Sequence, residues 1–100
     1  MDKEPTDTLL RYFRTGELIA IFPAVAGTSD PDTCMSYQTV GQHGSCDPSG
    51  LIRLTQPASL VSDSTKSFLA ELERVGYKVN VVKRATAAHR KARVQQIGNR

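Results

Sequence analysis

The sequence predicts an α+β domain: a mainly antiparallel sheet of about five strands, one helix packed on a face and a basic helix at the C-terminus, in the order β-β-β-β-α-β-α. Three observations carry this. Alternating apolar residues, cut by clusters of Gly, Pro, Asp and Ser, fill the chain up to Thr55. Helical spacing appears only later, where Phe68, Leu69, Leu72 and Val75 recur. Strands first and helices late argue against a doubly wound sheet, in which the two alternate.

Residues 1–8 read as a flexible N-terminus, 9–97 as one domain and 98–100 as a tail. LLRYFRTGELIAIFP reads as a hairpin. Leu10, Tyr12, Leu18 and Ala20 alternate along its arms, and Thr15-Gly16 sits between them. The second arm, Leu18 to Phe22, is almost wholly apolar, as expected of an inner strand covered on both faces. Pro23 closes it, because proline cannot donate to a ladder. AVAGTSDPDT is a loop by composition. Cys34–Val40 alternates again as a third strand. The stretch VGQHGSCDPSG is expected to bend, with Asp47-Pro48-Ser49-Gly50 as a turn. Leu51–Thr55 reads as a fourth short strand ended by Gln56-Pro57.

The clearest helix begins at Ser62, a good N-cap, with Asp63 near the positive end of the helix dipole. Phe68, Leu69, Leu72 and Val75 form its buried stripe, and Gly76 suits the C′ position. Tyr77, Val79 and Val81 share one face of a fifth strand. Thr86 is placed to cap a last helix through about Gln96. Ala87, Val94 and Ile97 give that helix only a thin apolar stripe, so its basic residues are expected at the surface.

A chain of 100 residues with 39% apolar residues suits one small domain. A domain of this size buries only about two-thirds of its unfolded surface, so help from self-association into a homo-oligomer is expected. No apolar run is long enough to span a bilayer. The polar start, MDKEPTDT, is unlike a signal peptide, so a soluble cytoplasmic protein is expected. Cys34 and Cys46 make no disulfide framework and read first as free thiols. A redox pair, or a metal site completed by His43, are the alternatives, although no CxxC or HxxxH spacing supports the metal.

Net charge is only +3, but it is unevenly placed. No acidic residue follows Glu73, whereas Lys78, Lys83, Arg84, Arg90, Lys91, Arg93 and Arg100 do. Such a basic third favours an anionic partner: a nucleotide-type small molecule, a nucleic acid or an acidic protein face. A solvated helix face is the plainer alternative. Gly41 and Gly44 bracket Gln42-His43, where a main chain open to close approach meets an imidazole and an amide. The same glycines would serve a simple bend. The candidate binding residues are therefore Gln42 and His43 from the loop, with Arg84, His89, Arg90 and Arg93 from the basic end.

Paired catalytic carboxylates, HExxH, a Walker loop and GxGxxG are all missing, and Cys34 with His43 lacks a third orienting residue. The expectation is a non-enzymatic binding module without a cofactor. A nucleic-acid-binding accessory protein is the alternative, and a small cysteine-dependent enzyme is the next. HRKAR suits phosphate contact, but no helix-turn-helix or zinc-finger spacing supports sequence readout.

FRTGELIAIFPA, CMSYQTVGQHGSCDP, TQPA and FLAELERVGYKVNVVKRAT together resemble a family of small bacterial and phage proteins associated with mobile elements. Its marks are a G-x-x-I-A-hydrophobic-F-P strand, a C-x-S-Y…G-Q-H strand-loop and an L-L-x-E-L…G-Y helix. The resemblance covers about residues 10–90 and implies no particular activity. It implies a host-directed role, such as blocking a host defence protein or sequestering a nucleotide signal.

Overall fold

The most apolar stretch of the chain lies at the middle of the sheet. In this computed structural model, residues 5–38 and 42–98 are described, except for the side chains of Gln42 and His43. The elements are β1 (Thr6–Phe13), β2 (Leu18–Ala26), β3 (Cys34–Gln38), β4 (Gln42–Cys46), α1 (Pro48–Leu54), β5 (Thr55–Pro57), α2 (Asp63–Arg74), β6 (Val79–Val81) and α3 (Ala87–Gly98). The sheet order is β4-β3-β2-β1-β5, antiparallel throughout. β6 adds a parallel pairing to the start of β1, so β5 and β6 divide the outer edge of β1 between them. The fold is α+β.

β2 is covered on both faces, as its composition requires. On one face Leu10, Ala20, Phe22 and Tyr37 meet Phe68 and Leu72 of α2. The aromatic rings cluster: Phe22 stacks on Tyr77 at 4.7 Å, and Tyr37 lies 6.1 Å from both Phe68 and Tyr77. Burying side chains of this size contributes about 1.5–3 kcal/mol each. On the other face Leu9, Ile19, Ile21 and Cys34 form a second cluster, flanked by Leu51 and Ile52 of α1.

α2 follows its local signals closely. The Ser62 hydroxyl accepts from the Thr65 N–H at 3.2 Å. At the other end Gly76 has φ 105°, a conformation that penalises a Cβ. Its N–H donates to Glu73 O, and the next N–H, of Tyr77, reaches Leu72 O at 2.9 Å. This is the paired closure of a Schellman motif. Val75 departs from expectation: as the C-cap residue it is exposed rather than part of the buried stripe.

Other expectations need correction. Gln42–Cys46 is a strand rather than a loop, because pairing with β3 satisfies its backbone whatever its side chains. Leu51–Thr55 is not a fourth strand. Asp47 caps a helix by accepting from the Ser49 N–H at 3.1 Å, and Pro48 occupies the first turn, where its missing donor costs nothing. The supposed turn is a helix start. Thr6–Thr8, expected to be flexible, is ordered by pairing with β6. α1, absent from the expected order, packs on the face opposite α2.

Candidate functional site

The candidate residues of the basic end divide into two groups. His89 and Arg93 are buried, at 8% and 5% exposure, on the inward side of α3. Both are occupied within the fold. Arg93 Nη1 donates to Pro23 O at 2.6 Å and Nε to Pro31 O at 2.9 Å. Gln96 completes the attachment: its Nε2 donates to Ala24 O, and its Oε1 accepts from Ala26 N–H. These partners flank the irregularity in β2 between Phe22 and Ala26, where the ladder leaves backbone groups to be satisfied. The thin apolar stripe of α3 is thus replaced by polar residues matched to that irregular backbone.

His89 closes the start of α3. The Thr86 hydroxyl faces the His89 N–H at 3.4 Å, while the Thr86 N–H donates to His89 Nδ1 at 3.0 Å. This reproduces a capping box with histidine in place of the acid. Because Nδ1 accepts, the ring proton lies on Nε2, which donates to Asp7 Oδ2 at 2.8 Å. Asn80 donates to the other Asp7 oxygen at 2.8 Å. Hydrogen bonds from Asn80 first and His89 second hold the Asp7 carboxyl below its ordinary value.

Arg90 and Arg84 stay at the surface. Arg90 reaches Asp32 at 3.3 Å, an exposed contact of little energetic weight. β4 places the backbone of His43 opposite Tyr37 and that of Gln42 opposite Gln38. Their side chains lie outside the described residues, so the six candidates are not gathered into one site.

Two further groupings emerge, the first not singled out from the sequence and the second raised there as a possible redox pair. The first is a cleft of about 740 Å³ lined by Tyr12, Phe13, Arg14, Arg53, Leu54 and Gln56, among others. The register Tyr12↔Gln56 and Phe13↔Thr55 brings its walls together. Arg11 fixes the corner by donating to Thr55 Oγ1 at 2.6 Å, Thr55 O at 2.8 Å and Ile52 O at 3.1 Å. Arg14 and Arg53 are exposed, and among the described residues neither makes an ion pair. Among the described residues no carboxylate lines this cleft, whereas a second cleft, of about 530 Å³, carries Glu17 and Glu71. Reading Leu51–Thr55 as a strand hid this site, because only the α1–β5 corner turns Arg53 toward the first hairpin.

The second grouping is the cysteine pair. Cys34 and Cys46 stand directly opposite in the β3–β4 ladder, with their sulfurs 3.6 Å apart. Cys34 is fully buried and Cys46 partly so. Gly27 lies against them so closely that a Cβ there would meet Cys34 O at 2.6 Å and Ser45 Cβ at 2.7 Å. Hydrogen bonding with Cys34, then with the Ser36 hydroxyl, lowers the Cys46 pKa against the opposing effect of burial. The same pairing, followed by burial, pushes the Cys34 thiol up. Among the described residues no group of three or more potential ligands could hold a metal ion, and no helix is long and apolar enough to cross a membrane.

Comparison with family models, with curated proteins and with solved structures returned no match.

Proposed function

We propose that this chain is a non-enzymatic binding module for a phosphate-bearing small anion of the nucleotide class. The observation that supports this reading is the cleft in which Arg14 and Arg53 present two guanidinium groups with no ion pair, and no carboxylate in the lining, among the described residues. Guanidinium forks match phosphate oxygens in pairs. Tyr12, at 37% exposure, offers an aromatic face for a base, and Phe13 and Leu54 supply apolar wall. The backbone of the β1–β5 corner is held by Arg11, so ordering on binding is confined to the exposed side chains of Arg14 and Arg53.

A second reading is a polyanion or an acidic protein face on the basic end. Lys83, Arg84 and Lys91 are exposed there, with no acidic residue in their part of the chain. This surface shares no residue with the cleft.

Calorimetric titration with ADP, pyrophosphate and a single-stranded DNA oligomer separates the two. The cleft reading expects ADP to bind more tightly than pyrophosphate, and Arg14→Ala and Arg53→Ala each to weaken ADP by about tenfold or more. Both residues are exposed, so melting temperatures should stay unchanged. No ADP binding, or binding indifferent to the double variant, overturns it. Oligomer binding that falls steeply with salt, survives the cleft variants and is lost in Arg84→Ala with Lys91→Ala supports the second reading instead.

A further inference from the structure

We propose that Cys34 and Cys46 form a reactive dithiol that takes low-molecular-weight disulfides, with Cys46 as the attacking sulfur and Cys34 as the resolving one. This site is separate from the Arg14–Arg53 cleft and does not depend on it. Three features converge. The residues are register partners in an antiparallel ladder, where facing Cα atoms lie about 4.5–5.5 Å apart, inside the range of about 4.4–6.8 Å that a disulfide spans. The sulfurs already touch at 3.6 Å, so rotation of the side chains suffices and no strand has to move. Access is asymmetric: Cys34 has no exposed surface, while Cys46 is reached at the end of the edge strand β4.

The chemistry follows from that asymmetry. Cys46 gives its proton to water, and its thiolate attacks one sulfur of RSSR. A Cys46–SR bond forms, the RS–SR bond breaks, and RS⁻ leaves to take up a proton. Cys34 then gives up its own proton and attacks Cys46 Sγ. The Sγ–Sγ bond forms, the second RS⁻ leaves, and it too is protonated. The two protein sulfurs are oxidised, RSSR is reduced, and two RSH are released. Hydrogen bonding toward Cys46 favours the thiolate at the less buried of the two residues, which is the one that attacks first. The ladder beyond the pair then carries a covalent link where β4 hands over to the Asp47 cap of α1.

The test uses the reduced full chain, under native conditions at neutral pH, with oxidised glutathione in excess. Intact mass should fall by two hydrogen atoms, with both cysteines protected from alkylation. Unchanged mass, or a stable glutathione adduct on the wild type, overturns the proposal. Cys34→Ser should hold one glutathione on Cys46, whereas Cys46→Ser should stay unmodified. Equal labelling of the two variants overturns the assignment of roles. Should Cys34→Ser fail to fold, site-mapped alkylation of the wild type decides: Cys46 should react at least about tenfold faster than Cys34, and equal rates refute the asymmetry.

Discussion

The two longest helices are attached to the sheet by different chemistry. α2 is attached by an apolar cluster in which Phe68 and Leu72 fill space beside Leu10, Ala20, Phe22 and Tyr37. α3 is attached through directed polar contacts, with Arg93, Gln96 and His89 each matched to particular oxygens or N–H groups. Apolar packing tolerates exchange between residues of similar volume. A polar attachment does not, because removing one partner leaves the other buried and unsatisfied. The α2 attachment should therefore respond to lost volume, and the α3 attachment to lost geometry.

The largest expected effect tests the apolar face. Phe68→Ala should cost about 3–5 kcal/mol, measured by urea unfolding, while Phe68→Leu should cost much less. Similar losses in both variants would mean that α2 is held by something other than packed volume.

Next comes Arg93. Arg93→Met removes a donor that serves two carbonyls and should cost about 2–3 kcal/mol. Arg93→Lys should recover little of that, since an ammonium cannot reproduce a planar fork reaching Pro23 O and Pro31 O together. Arg90→Lys, at an exposed contact, should change stability by less than about 0.5 kcal/mol. If Arg93→Lys unfolds at the same urea concentration as wild type, charge rather than geometry holds α3.

The same contrast explains what the sequence reveals. α2 was legible from Ser62 to Gly76 because cap, apolar spacing and glycine stop agree, and tertiary burial uses the same stripe. β2 was legible from Leu18 to Phe22 because a fully apolar run has few other places to go, but Pro23 does not close it: the strand continues to Ala26 past the irregularity in its pairing with β3. α3 was legible as a helix but not in its orientation. Basic residues read as surface, and nothing local announces that the backbone around Pro23 and Pro31 awaits donors seventy and sixty-two positions away. β4 and α1 were obscured for another reason. QHGSC has little intrinsic strand preference, and Asp-Pro begins turns and helices alike. For the candidate sites, the cysteines were visible as a possible pair, but only the ladder sets them face to face. The Arg14–Arg53 cleft depends wholly on the pairing of β1 with β5, a contact that spacing along the chain does not encode.

A smaller effect than the loss of Arg93 is expected at the Asp7 contact that ties β1 and β6 to the start of α3. Asp7 has a carboxyl held below its ordinary value of 3.8, by Asn80 and then by His89. The folded state thus binds its proton less readily than the unfolded chain does. The resulting stabilisation is fully present above the ordinary value and is lost as pH falls through the lowered one. Asp7 has 37% of its side chain exposed, so solvent screening keeps the effect to less than about 1 kcal/mol. Asp7→Asn lacks the titration. Its melting temperature should lie below that of wild type above about pH 5, and the margin should shrink as the pH drops toward about 3. Glu71, also lowered through Arg74 and Tyr37, is present in both proteins and cancels in the difference. Thermal melts followed by circular dichroism at closely spaced pH values measure the margin directly. Parallel curves would mean that Asp7 contributes as a neutral spacer, and that the polar attachment of α3 rests on Arg93 and Gln96 rather than on the carboxylate beneath His89.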